Sequence, residues 1–143
     1  MATTTTLVAG SIATLSSTGL NSLASGSLVV ASAYSSGGGY LLAEVELVVT
    51  FGTNPSANSG VSIWWLMAPD ATNYEDGGTS LTPARAPDVF LPVRAVTTLQ
   101  RITVRCSIPP GTFTPLIKND NTSQSFASSA NSVKILPYTF TQG

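Results

Sequence analysis

Between residues 43 and 51 the chain alternates with period two. Ala43, Val45, Leu47, Val49 and Phe51 fall on one side, and Glu44, Glu46, Val48 and Thr50 on the other. Such alternation predicts a strand with one buried face and one wet or partner-facing face. Residues 101–108 repeat the pattern, with Ile102, Val104, Cys106 and Ile108 predicted to point inward. Residues 61–67 (Val-Ser-Ile-Trp-Trp-Leu-Met) are apolar on both sides, which predicts a central strand covered on both faces.

Further strands are predicted at 6–15, 27–34, 89–95, 112–118 and 133–140. Pro92, Pro115 and Pro137 each remove a ladder donor, so their strands are expected to be edges or bulged. Gly, Pro, Asn and Asp punctuate the runs at 35–39, 52–55, 76–78, 109–111 and 119–121. No helical apolar period survives for a dozen residues. Eight short strands at this spacing predict an all-β fold, a single jelly-roll-like β-sandwich with an extended N-terminal arm. An immunoglobulin-like sandwich is the alternative. Residues 1–36 are expected to be an uncharged interface arm or edge strands, and 37–143 the sandwich domain, with a long loop at 68–88.

Charge changes the picture at one end. The first charged residue is Glu44, and charged residues make up only 9% of the 143-residue chain, against about 25% in ordinary soluble proteins. A free monomer covers its surface with mixed charges, so the neutral end points to assembly. The net charge is −1, and the six Lys and Arg residues are scattered. Nucleic-acid binding, which needs a basic stripe, is therefore not expected. The longest apolar run is broken by Glu44 and Glu46, short of the ~20 residues a membrane helix needs. Neither a membrane partner nor a signal peptide is expected, and the chain is expected to be made in a host cytoplasm.

Candidate chemistry is sparse. Without histidine the commonest general base and zinc ligand is missing. Cys106 is the single cysteine and reads as a small core residue. The acidic loop at 69–78, with Asp70, Glu75 and Asp76, has the oxygen content of a calcium site but no calcium-loop spacing, so a polar surface loop is the favoured reading. Glu75 and Asp76 are adjacent, whereas glycosidase carboxylates face each other across a bond. Asn121-Thr122-Ser123 matches a glycosylation sequon and is taken as chance. Of the two indoles, Trp65 is assigned to the core. Trp64 either stacks on a sugar or a protein partner, or lies beneath the 68–88 loop.

Two stretches resemble small virion structural proteins of tailed bacteriophages. One is Val61-Ser62-Ile63-Trp64-Trp65-Leu66 followed by Asp70-Ala71-Thr72-Asn73-Tyr74-Glu75-Asp76-Gly77. The other runs from Pro109-Pro110-Gly111 to Asn119, then through Phe126-Ala127-Ser128-Ser129 to residues 133–140. The resemblance implies a capsid cement or decoration protein on the virion surface. Its partners would be itself, as a homotrimer, and a major capsid protein, with no enzyme activity and no cofactor. The expected interface residues are Thr4, Thr6, Leu7, Ile12 and Leu15 from the neutral segment, with Trp64 and Tyr74. On this reading, deleting residues 2–20 should weaken assembly and leave the sandwich folded. The rival is a phage tail-associated or receptor-binding module that recognises host glycans through Trp64, Tyr74 and the acidic loop.

Overall fold

The alternation at 43–51 becomes β5 (Leu42–Val49), in which Ala43, Val45, Leu47 and Val49 are all buried. The computed structural model describes residues 2–37 and 39–143. Met1 and Gly38, which fall in the neutral segment and in the glycine turn that ends it, lie outside the described residues. Upstream of β5 come β1 (Thr5–Ala9), β2 (Ala13–Ser16), a 3-10 turn at Thr18–Leu20, β3 (Leu28–Val30) and β4 (Tyr34–Ser35). Downstream come β6 (Gly60–Met67), β7 (Val89–Pro92), β8 (Gln100–Ser107), β9 (Thr112–Asp120) and β10 (Ser132–Gln142).

All pairings are antiparallel and make two sheets. In sheet I, β1 and β2 lie end to end along β10, followed by β5 and β8. In sheet II, β3 and β4 lie end to end along β9, followed by β6 and β7. With each broken pair counted as one strand, the chain is a single long hairpin of eight strands. First pairs with eighth, second with seventh, third with sixth and fourth with fifth. Rolled up so that successive rungs alternate between sheets, this hairpin is a jelly roll, as expected.

The core between the sheets is built from Val45, Leu47, Val61, Ile63, Trp65, Leu91, Phe113, Ile117, Val133 and Ile135. Trp65 tilts onto Phe113 with ring centroids 5.0 Å apart, and Tyr34 meets Phe113 edge-on at 5.5 Å. Gly60 is required by close approach, because a Cβ there would run into the Leu91 carbonyl.

The register breaks by one residue opposite both Pro115 and Pro137, as the bulged alternative expects, but only one of the three prolines marks an edge. Only Pro92 lies on an edge strand; Pro115 and Pro137 sit in the interior strands β9 and β10. A residue in an antiparallel strand aims its N–H and C=O to the same side. The Pro115 carbonyl accepts from Ala31 N at 2.9 Å, and the Pro137 carbonyl from Gly10 N at 2.7 Å. Each proline therefore turns its bare nitrogen toward the neighbouring edge, where that edge is broken between β3 and β4 or between β1 and β2. The ladders to β6 and β5 lose nothing.

Residues 2–36 take the edge-strand alternative, and the strands on either side of position 36 share the same two sheets. β1–β4 complete both sheets. Leu20 is fully buried, and both it and Leu15 belong to the main core. Only β1 extends as an arm would, with every side chain exposed along the last five residues of β10.

Candidate functional site: a neutral edge and a clamped loop

The expected interface residues separate by burial. Thr4, Thr6, Leu7, Ile12 and Tyr74 are exposed. Leu15 and Trp64 are not: at 7% and 3% exposure their side chains are held inside the protomer, and both are withdrawn as contact residues.

On β1 the hydrogen-bond phase fixes which groups are free. Gly143 N donates to the Thr4 carbonyl at 3.0 Å, and Gly10 N to Pro137 at 2.7 Å. Antiparallel pairing alternates, so Thr4, Thr6, Val8 and Gly10 aim their backbone groups at β10. Thr5, Leu7 and Ala9 aim theirs outward along an edge that pairs with no strand among the described residues. The Leu7 side chain lies on the outer face of sheet I beside its pair partner Phe140. At 44% and 62% exposure, these are among the most exposed large apolar residues of the protein. Leu7 also lines a shallow depression of about 300 Å³ with Leu42, Cys106, Tyr138 and, on its far side, Arg105.

The same face becomes charged away from that end. Glu44 pairs with Arg105 at 3.0 Å directly across the β5–β8 ladder, and Glu46 with Arg101 at 2.9 Å on its diagonal. These exposed pairs add little stability but mark β8 as the charged border of the sheet. Cys106 points inward beside Ala43, and burial, helped by the field of Asp88, pushes its thiol up to about 11. Such a thiol is a poor nucleophile at neutral pH.

The outer face of sheet II is covered at its middle, while Val30 and Phe90 toward its edges stay exposed. Trp64 packs with Leu28, Leu66 and Leu116, and its Nε1 donates to the Arg85 carbonyl at 3.0 Å. Arg85 is the clamp of the 68–88 loop. Its Nε and Nη2 donate to both oxygens of Glu75 at 2.9 and 2.6 Å, and its Nη1 to Asp88 at 2.8 Å. Nη2 also reaches the Trp65 carbonyl at 3.1 Å. Hydrogen bonding to Arg85 holds the Glu75 carboxyl below its ordinary range.

The acidic loop uses its oxygens internally. Asp70 accepts from Thr72 N, Asn73 N and Asn73 Nδ2 at 2.7–2.9 Å, which lowers its carboxyl to about 2. With Glu75 held by Arg85, the carboxylates of 69–78 do not converge. No group of three or more metal-ligating side chains occurs among the described residues. Arg85 had no signal in the sequence, because its partners lie ten residues before and three after it, a spacing that belongs to no regular element.

Removing the clamp is expected to open this face. Arg85→Ala should leave sheet I intact, shift the Trp64 emission to the red and make one of the two indoles accessible to acrylamide. Acidification should act in the same direction. Because the Glu75 carboxyl is lowered in the folded protein, its contribution is present above about 4.5, the unfolded value, and fades as pH falls below it. Unchanged quenching in Arg85→Ala would show that apolar packing alone holds the loop.

Compared with known proteins, the chain matches no family model and no curated sequence.

Proposed function

We propose that this protein is a non-enzymatic structural component of a virion, a capsid cement or decoration protein that acts by packing against copies of itself and a capsid lattice. The observation that carries the reading is the β1 end of sheet I, where Leu7, Phe140 and Leu41 are exposed and no charged residue occurs among the first 43 positions. Large apolar side chains gathered on a neutral surface mark a protein interface. The jelly roll supports the reading only as background, since it is common in capsids but also serves lectins and cupins. The glycan-binding alternative loses its main residue, because the Trp64 indole lies under the 68–88 loop with its N–H already bonded.

The test is to purify particles produced from a genome carrying this gene, with and without the gene. The chain should be present at a fixed copy number on intact particles. Particles lacking it should release DNA at a lower temperature, and added purified protein should restore them. Absence of the chain from purified particles, or its confinement to tails, would overturn the reading.

A further inference from the structure

We infer that β1 is a docking edge for a second copy of this chain, paired antiparallel about a two-fold axis at Leu7. The inference deepens the self-association in the proposed function, and it stands or falls without the virion assignment.

Exposed edges are ordinarily blunted by charge, proline, bulges or shortness. On sheet I, β8 carries Arg101 and Arg105 on its outer face. On sheet II, β7 has four residues and ends in Pro92, while β3 and β4 have three and two residues and are separated opposite Pro115. β2 runs beside the irregularity at Val133 and Lys134. β1 alone offers five consecutive residues, Thr5-Thr6-Leu7-Val8-Ala9, with no charge, no proline and no register shift.

The free groups on β1 are symmetric about its centre. Thr5, Leu7 and Ala9 aim their N–H and C=O outward, so a two-fold axis at Leu7 pairs Leu7 with Leu7, and Thr5 with Ala9. Each such pair exchanges two hydrogen bonds. The side chains agree with that register. Leu7 and Phe140 share the outer face, and the two-fold places both pairs in one apolar strip running unbroken across the joined sheets. The first charged residue is Glu44, so β1 brings no like charges together at the axis. A second copy also consumes both unguarded edges at once, so this contact closes at two protomers and cannot propagate. Trimers on a capsid lattice would be linked pairwise by it.

Light scattering during size-exclusion chromatography should give a mass for the full chain that falls by half in Leu7→Lys, which places two ammonium groups at the axis. Leu7→Pro should do the same. Its lost N–H faces away from β10, so the protomer ladder survives, and an unchanged circular dichroism spectrum will show that either variant is folded. As a positional check, Leu7→Cys in a Cys106→Ser background should oxidise to a covalent dimer, because hydrogen-bonded partners lie about 5.5 Å apart at Cα, within disulfide reach. A wild-type monomer at high concentration would overturn the inference, and so would an oligomer, trimer included, whose mass Leu7→Lys leaves unchanged. In either case the decoration reading would still be decided by the particle experiment.

Discussion

A chain lacking residues 2–20 should fail to fold cooperatively, or melt roughly 15 °C or more below the full-length protein. The segment reads as a detachable arm by composition, yet it supplies Leu15 and Leu20 to the main core. Losing one buried leucine side chain costs roughly 2–5 kcal/mol, and a whole domain is stable by roughly 5–15 kcal/mol. The truncation also strips β10 of both β1 and β2, turning an interior strand into a long bare edge. Aggregation should accompany the lost stability. Leu7→Lys is the matching control: it alters the neutral surface while touching neither buried leucine, and should melt close to wild type. Urea unfolding followed by circular dichroism distinguishes the outcomes. A residue 21–143 fragment with a wild-type midpoint would show that the neutral segment is an appendage after all.

That error of composition shows where the sequence was legible. Alternation in β5 and β8 gave both strands and their inward residues, because a half-buried strand writes its pattern directly into the chain. The run at 61–67 gave a doubly covered strand for the same reason. The neutral end defeated this reading. Leu15 and Leu20 stand among Ser, Thr and Gly with no repeating period. The pairing of β2 with β10, more than a hundred residues away, places Leu15 inside, and the 3-10 turn that follows places Leu20. The two interior prolines were legible as bulges but not as interior positions, for a related reason. Whether a proline disrupts a sheet depends on which neighbour its nitrogen faces, and that is a property of the assembled ladder. The exposed β1 edge is legible as residues but not as geometry. Leu7 was named from composition, while the phase that frees its backbone is set by Gly143 bonding to Thr4.

Asn119 shows the same limit in the interior, and its replacement by alanine should cost roughly 2–4 kcal/mol. In the sequence it opens an Asn-Asp-Asn turn. In the fold its side chain is fully buried at the end of β9. Nδ2 donates to the carbonyls of Leu23 and Gln124, each at 2.9 Å. Oδ1 faces the buried Thr122 hydroxyl, which has both it and the Gln124 carbonyl within reach. Two backbone bonds, Gly26 N to the Asn119 carbonyl and Asn119 N to the Ser27 carbonyl, hold the same junction. One amide thus ties β9 to the connection before β3 and to the loop before β10. Alanine takes one donor from each of two carbonyls, although Leu23 keeps Phe126 N and Gln124 keeps the Thr122 hydroxyl. It also takes the Oδ1 acceptor from Thr122. Each hydrogen bond lost in this way costs roughly 0.5–1.5 kcal/mol. Asn119→Asp sharpens the test. Its carboxylate would face those carbonyls without a proton to offer, so folding should favour the protonated acid and raise its pKa above the unfolded value of about 3.9. The variant should therefore be most stable, relative to wild type, below about pH 4 and lose ground as pH rises through the raised value. A pH-independent deficit would mean that shape, not the donated hydrogen bonds, is what Asn119 contributes.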